Sequence, residues 1–507
     1  MNNSIIITLL SLQLTITALL GQTYTQQTHF ARLSYETINI TSAETMGMVG
    51  VNLELNRFLS QPTYLGIGGY GALVGDRGGF FTAGITPGLR FSLKGPLIYD
   101  IGLFIGGGGG ASAFPGDGLM IRSHAYVGYP FNHSLLWTGL SWQEISNQDL
   151  GLNISMALSK PLTIFTSKSN QPSSTIKPSQ PIQTLTNKRL QVLLSKLNYY
   201  PLDSTMNRNN VPIASSIPLL HLELEYDWIN SINAMFSLSG ANGQGADGYG
   251  SIFTGLAYKT TVSNLQISPQ LKIGMAGGGN IDTGGGFMIS PAVKLNYPLF
   301  KQLYLSSSLG YIAAPSGTFA AFKAAIGLTW EINKLTNNHH PKQLNSQLAT
   351  ITSIQKPHQI KWFVENKTTW PTSSLLTKGG DYYEPTIQFF GCGAKLPIKS
   401  WLDLMVATYW AYDGEVGAYA EGNFGLVISR QLSQYVSLGA EFSIGAAGGG
   451  GIDVNQGTIH QEAISLNYHV TKTNVIAVKY GWQAAFASTA FQGPIMLIGI
   501  QRSVSFL

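Results

Sequence analysis

The chain is short of charge. Of its 507 residues only 11% are Asp, Glu, Lys or Arg, against about 25% in an average soluble domain. A net charge of +5 is spread thinly, with no Lys/Arg-rich face or stripe. That excludes a nucleic-acid-binding surface. Cysteine is nearly missing too. The single Cys392 rules out an intrachain disulfide and any cysteine-rich metal site. After the first twenty residues no uninterrupted apolar run is long enough to cross a membrane as a helix. Catalytic signatures are also absent: GxSxG, HExxH and GxxxxGK[ST] do not occur. GIGGYG at 66–71 matches GxGxxG, but no helical pattern or acidic partner follows it, so it reads as small residues on a strand.

What is present begins at the N-terminus. MNNSIIITLLSLQLTITALLGQTYTQQ has an apolar core from Ile5 to Leu20, then small Gly21 and a polar stretch. This is the order of a secretory signal peptide, expected over residues 1–22. Glycine is abundant, 58 residues, and it is placed in blocks. Gly106–Gly110, Gly277–Gly279 and Gly448–Gly451 recur at a spacing of 171 residues. GMAGGGNID from Gly274 matches GAAGGGGID from Gly445 without a gap, as does LNY at Leu295 and at Leu466. The chain is therefore a triplicate. Units are expected over 28–160, 188–332 and 358–507. The segments 161–187 and 333–357, rich in Ser, Thr, Pro, Gln, Asn and Lys, read as disordered linkers. The pair His339–His340 in the second has no carboxylate or thiolate neighbour and makes a poor metal site.

Each unit divides into about eight extended segments with strict alternation. In LQISPQLKIGMAGGGN, from Leu265, every second residue is apolar up to Met275. Leu220, Leu222, Leu224, Tyr226 and Trp228 alternate with His221, Glu223, Glu225 and Asp227. Two faces have been sorted for two environments. A soluble β-sandwich alternates as well. Here the polar face is mostly Gly, Ser and Ala, and the segments run to 10–14 residues, where sandwich strands average about 5–6. A tilted strand crossing a bilayer needs about 9–11. The apolar columns also end in Tyr, Trp and Phe at the short turns, as an interfacial girdle requires. The apolar parity is thus assigned to lipid and the polar parity to an interior. Glu54, His221, Glu223, Glu225, Asp227, Lys272, Lys294, Lys323, Glu441 and Lys479 fall on the interior parity.

With these features the chain resembles the outer-membrane β-barrel proteins of Gram-negative bacteria, over nearly all of its mature length. The resemblance implies an all-β, antiparallel transmembrane barrel architecture, and a bacterial outer-membrane location reached by a cleaved signal peptide. It implies contact with outer-membrane lipid and lipopolysaccharide and insertion by the outer-membrane assembly machinery. The ending SVSFL departs from the family's usual terminal aromatic residue. Two closures are compatible with the repeat: three tandem eight-stranded barrels, slightly preferred for the long segments between units, or one barrel of about 24 strands with a wide lumen.

The Gly blocks, Gly106, Gly107, Gly108, Gly277, Gly278, Gly279, Gly448, Gly449 and Gly450 among them, fall at the end of each fifth strand. They allow positive φ, bulges and close backbone approach. A calcium loop is the weaker alternative, since GGGGID is followed by Val454 and Asn455 without a tandem array. For catalysis, Ser123 and His124 adjoin on one strand near Glu144 and so point to opposite faces, which prevents a nucleophile–base pair. The expectation is a non-enzymatic, structural or surface-exposed barrel protein with no cofactor, no metal and no nucleic-acid partner. The alternatives are a passive diffusion pore through a single large barrel and an exported soluble β-sandwich repeat.

Overall fold

A computed structural model describes residues 23–506 apart from a set of short segments, of which 169–184 and 338–357 are the longest. The expected signal peptide and His339–His340 lie outside the described residues. Every element among those described is a β-strand.

The first unit holds β1 Thr23–Asn39, β2 Thr45–Asn56, β3 Thr63–Gly75, β4 Phe81–Ser92, β5 Ile98–Gly109, β6 Leu119–Phe131, β7 Ser134–Ile145 and β8 Gln148–Lys168. The second holds β9 Leu185–Pro201, β10 Ile217–Ile229, β11 Ile232–Ala241, β12 Gly250–Tyr258, β13 Thr260–Val262, β14 Leu265–Gly277, β15 Phe287–Phe300, β16 Leu303–Ala313 and β17 Ala320–Asn337. The third holds β18 His358–Thr369, β19 Ile387–Lys399, β20 Leu402–Asp413, β21 Ala420–Gln431, β22 Val436–Gly448, β23 Thr458–His469, β24 Asn474–Ala485 and β25 Gln492–Phe506.

Each unit closes on itself. β1 pairs antiparallel with β8, and β18 with β25. In the second unit β9 pairs with β17 while β12 and β13 together pair with β14, so these two short pieces act as one wall strand. The protein is therefore three closed eight-stranded antiparallel barrels. The single wide barrel and the sandwich are both overturned, because each unit's ladder finds its partner within the unit and leaves no edge to share.

The closing ladders also correct the expected linkers. β8 continues to Lys168 and β9 begins at Leu185, and β17 runs to Asn337. Polar composition suggested coil there, but the β1–β8 and β9–β17 ladders carry these ends.

The outward columns are apolar. Leu152, Ile154 and Met156 on β8, Leu271 and Ile273 on β14, and Ile464 and Leu466 on β23 are exposed. Tyr129, Phe131, Tyr297, Phe300, Trp401, Tyr435 and Tyr468 stand exposed beside the short turns. Lys196 on β9 and Glu462 on β23 also face outward, the former because Ser195 and Leu197 hold the inward parity.

The interior is not uniformly polar, contrary to the alternation argument. Towards the long-loop end each barrel is filled by an apolar plug. It comprises Met46, Met48, Phe80, Phe104 and Met120 in the first barrel, and Tyr199, Tyr249, Ile281 and Phe319 in the second. In the third it comprises Phe389, Tyr419, Ile452 and Phe491. Loop residues such as Ile281, Tyr249 and Val454 fold over the barrel mouth to complete it. Below each plug lies a layer of charge.

Candidate functional site

Three buried ionic layers and one set of glycine loops are the features of this molecule with specific chemistry. In the first barrel the layer is built on arginine. On β1, Arg32, Ser34 and Glu36 point inward while Leu33 and Tyr35 point out. Arg32 reaches Glu54 at 2.7 Å and Asp100 at 2.8 Å. Arg90 joins the same two carboxylates, with its Nε 2.9 Å from Asp100. Arg122 donates to Glu36 at 2.8 Å, to the Tyr126 hydroxyl at 2.8 Å and to the Tyr70 hydroxyl at 3.2 Å. His124 Nε2 lies 2.8 Å from Asp100. Guanidinium groups stack on rings here: Arg32 is 5.2 Å from the Trp137 ring centre and Arg122 4.9 Å from that of Tyr70. Such planar forks bridge several acceptors at once.

His124 beside Asp100 has the composition of a catalytic pair. Ser123 lies on the opposite parity of β6, away from this interior, and His124 is enclosed by arginine and tyrosine side chains. His124 is buried, so the pair sits within the ionic layer and satisfies buried polar groups there.

In the second barrel the layer is built on lysine. Lys272 lies 2.6 Å from Glu223, and Lys294 lies 2.9 Å from Glu223 and also pairs with Glu225. His221 bonds Ser239 at 2.8 Å, and Asp227, near the short-turn end, pairs with Arg189 at 3.0 Å. Lys323 is buried and donates to Ser290 at 2.5 Å, with no carboxylate partner among the described residues. Beside it is a cavity of about 10 Å³, lined in part by His221, Ser237, Lys272 and Ser308, room for about one water molecule.

In the third barrel Lys479 lies 2.9 Å from Glu441 and 3.0 Å from Glu365. Lys367 pairs with Glu421 at 2.6 Å, and Gln483 donates to the same carboxylate at 2.8 Å. Glu54, His221, Glu223, Glu225, Lys272, Lys294, Lys323, Glu441 and Lys479 are thus all buried inside barrels. Sequence reasoning did not single out Arg32, Glu36, Arg90, Asp100, Arg122, Glu365, Lys367, Lys395 or Glu421. Their strand parity was the available signal, clearest at Arg32, Glu36 and Asp100, which adjoin exposed Leu33, Tyr35 and Ile101.

The glycine blocks lie at the loop ends, where the barrels meet one another. Gly78, between β3 and β4, donates its N–H to Gly284 of the second barrel at 3.1 Å, and its carbonyl accepts from Arg208 at 2.7 Å. Thr458 of the third barrel donates to Asn242 of the second at 3.4 Å. Ala418 of the third donates to Gly108 of the first at 3.0 Å, and the Glu415 N–H donates to Asp117 of the first at 2.9 Å. In each case the loop after one barrel's third strand meets the region of the loop after another's fifth. Three head-to-tail contacts of this kind close a ring, as a rotationally closed trimer does, here within one chain.

The small side chains are what allow the approach. A Cβ on Gly277 would lie 2.5 Å from Gly79 of the first barrel, and one on Gly107 would lie 2.6 Å from the Ala411 carbonyl oxygen of the third. No real Cβ tolerates those distances, so backbone meets backbone only without side chains. Gly278, Gly279, Gly449 and Gly450 begin the loops with positive φ. Gly448 pairs with Ala420 at the end of the β21–β22 ladder, and Gly106 faces the Phe104 ring within its own barrel.

This geometry defines the class: an all-β protein of three closed antiparallel barrels, with apolar walls outside and filled interiors. No protein-family model matches the chain, and no curated protein does either. Solved structures that are similar to it are outer-membrane barrels. The NanC porin is 10% identical, matched over 62% of this chain and 99% of its own, with a TM-score of 0.15. OccK11 (OpdR) of Pseudomonas aeruginosa is 10% identical over 96% and 99%, with a TM-score of 0.21. The ferric enterobactin receptor PfeA of P. aeruginosa is 10% identical over 94% and 80%, with a TM-score of 0.26. At these scores the assignment rests on the barrel geometry itself.

Proposed function

We propose that this chain is an integral outer-membrane protein with a structural, non-enzymatic role, three occluded barrels presented as one unit. In this reading a signal peptide over residues 1–22 directs export and is removed. The outer-membrane assembly machinery then inserts the barrels among lipid and lipopolysaccharide, and the ring of loops faces outward. The observation that carries the reading is the double seal. Each lumen holds an apolar plug above an ionic layer whose members are buried and hydrogen-bonded. Eight strands leave an interior that side chains just fill, and a diffusion path would need these layers removed together.

A pore reading would start in the second barrel, where a cavity of about 10 Å³ lies beside Lys323. The test is conductance of the purified full chain in planar bilayers. The expected result is no discrete channel steps above the lipid baseline. Stable, ion-selective steps that vanish when the second barrel's interior is filled, by Ser237→Leu for example, would replace this reading with a channel.

A further inference from the structure

The two ends of the molecule carry opposite exposed charge. At the short-turn end Lys160, Lys301, Lys399, Arg430 and Arg502 are exposed. Of the carboxylates near that end, Glu54, Asp100, Asp227 and Asp403 turn inward and are paired, and Glu331 turns inward to accept from Gln191 at 3.1 Å. At the loop end the exposed charges include Asp149, Asp203, Asp413 and Glu415. The sequence continues the same division. Between Asp149 and Asp203, and between Glu331 and Glu365, there is no carboxylate at all, while Lys and Arg recur. Both stretches join barrels at the short-turn end.

The position of these cations identifies what they meet. Lys160 continues the outward column of Leu152, Ile154, Met156 and Leu158. Arg430 continues that of Leu426 and Ile428, and Arg502 that of Ile498 and Ile500. Arg430 and Arg502 therefore stand two residues, roughly 6–7 Å, beyond Ile428 and Ile500, and Lys160 lies between the outward Leu158 and Leu162, level with the start of β7. Lys301 follows the fully outward Phe300, and Lys399 sits 5.4 Å from the ring of Trp401. Cations continuous with a lipid wall and mixed with interfacial aromatics stand at headgroup depth, where long basic side chains reach phosphate.

We propose that these five residues form a collar that binds anionic glycerophospholipid headgroups and sets the short-turn end in the leaflet that contains them. The proposal rests on the membrane reading above. Clusters of basic residues at a membrane surface select anionic lipid through additive attraction. The carboxylates at this end turn into the barrel interiors, where arginine and lysine pair with Glu54, Asp100, Asp227 and Asp403.

The test uses the full chain refolded into vesicles of phosphatidylcholine alone or with a minority of phosphatidylglycerol. The protein is then extracted in mild detergent, and the retained lipid is counted by native mass spectrometry. The expected result is folding in both vesicles, shown by a heat-modifiable gel shift, with phosphatidylglycerol enriched roughly tenfold over its share of the bilayer. The variant with Lys160, Lys301, Lys399, Arg430 and Arg502 all changed to Gln should fold equally and lose the enrichment. Folding in both vesicles without a lipid preference, or a preference that survives the five substitutions, would overturn the collar alone. Preference for lipid A over phosphatidylglycerol through the same residues would overturn the leaflet assignment. Failure to enter either vesicle would overturn the membrane reading beneath it.

Discussion

The first and second barrels have the same wall and opposite interior strategies. In the first, three arginines bridge three carboxylates, and tyrosine hydroxyls take up spare donors of Arg122, with Nη1 of Arg90 left buried and unbonded among the described residues. In the second, lysines meet glutamates that are crowded onto β10, and serines fill the remainder. Among the described residues the hydroxyls of Ser195, Ser237 and Ser268 are buried without a hydrogen-bond partner, and Lys323 bonds Ser290 with no carboxylate at ion-pair distance. An arginine fork fixes several neighbours at once, whereas an ammonium is a point charge on a flexible stem. The closed ladder sets the barrel, and the inward residues set how tightly it is sealed.

Substitutions sharpen that contrast. Arg122→Met strands Glu36 in the first barrel, and Lys294→Met strands Glu225 in the second. Each should lower stability by about 3–5 kcal/mol, because a buried charge is left without its partner. Urea titration of the heat-modifiable band in detergent measures both. Phe104→Ala empties part of the first barrel's plug, where its ring meets Tyr70 edge-on at 4.9 Å, and should cost about 3–5 kcal/mol. Gly107→Val acts on the ring instead. It should cost about 1–3 kcal/mol of packing, and it should separate the first barrel's loop from Ala411 while all three barrels stay heat-modifiable. Cross-linking between engineered cysteines at Asp117 and Glu415 would report this, and an undiminished cross-link would place the contact elsewhere.

Lys323→Met gives the sharpest comparison with Arg122→Met. It removes a buried charge that has no carboxylate to strand, so stability should change by less than about 1 kcal/mol or rise. A loss as large as that of Arg122→Met would mean that the two interiors are equally well matched. The smallest effect is expected at Glu44, in a loop outside the wall. Its hydrogen bonds with Arg77, 2.6 and 3.0 Å, hold its carboxyl below the usual range. The pair is partly exposed, so Glu44→Gln should cost a few tenths of a kcal/mol. That difference should be full above the ordinary carboxylate pKa and disappear as the pH falls through the lowered value. Melting curves of the two proteins at neutral and acid pH would show it.

Much of this was legible in the sequence, because strand parity is a local property. Glu223, Glu225 and Asp227 sit at alternate positions on one strand, so their common face could be read directly. Glu36 and Arg122 lie 86 residues apart, and no local pattern says that their strands face each other across a lumen. The first strand of the second unit, β9, has a blurred pattern for a related reason. Leu193 and Leu197 point inward towards the plug while Lys196 points outward, which blurs the alternation. The glycine blocks announced close approach, but the approaching chain is another barrel, and packing between units leaves no trace in the spacing of either one.

Each unit closes on itself through the pairing of its own first and last strands. Specific protease sites placed after Ser174 and after Ser346, between the barrels, test it in the full-length protein folded in detergent. After cleavage of both sites, three separate fragments should each remain β-structured and shift on heating, with the unfolding of each independent of the other two. Loss of the heat-modifiable form on cleavage would contradict the account, because it would mean that the strands depend on one another across the junctions.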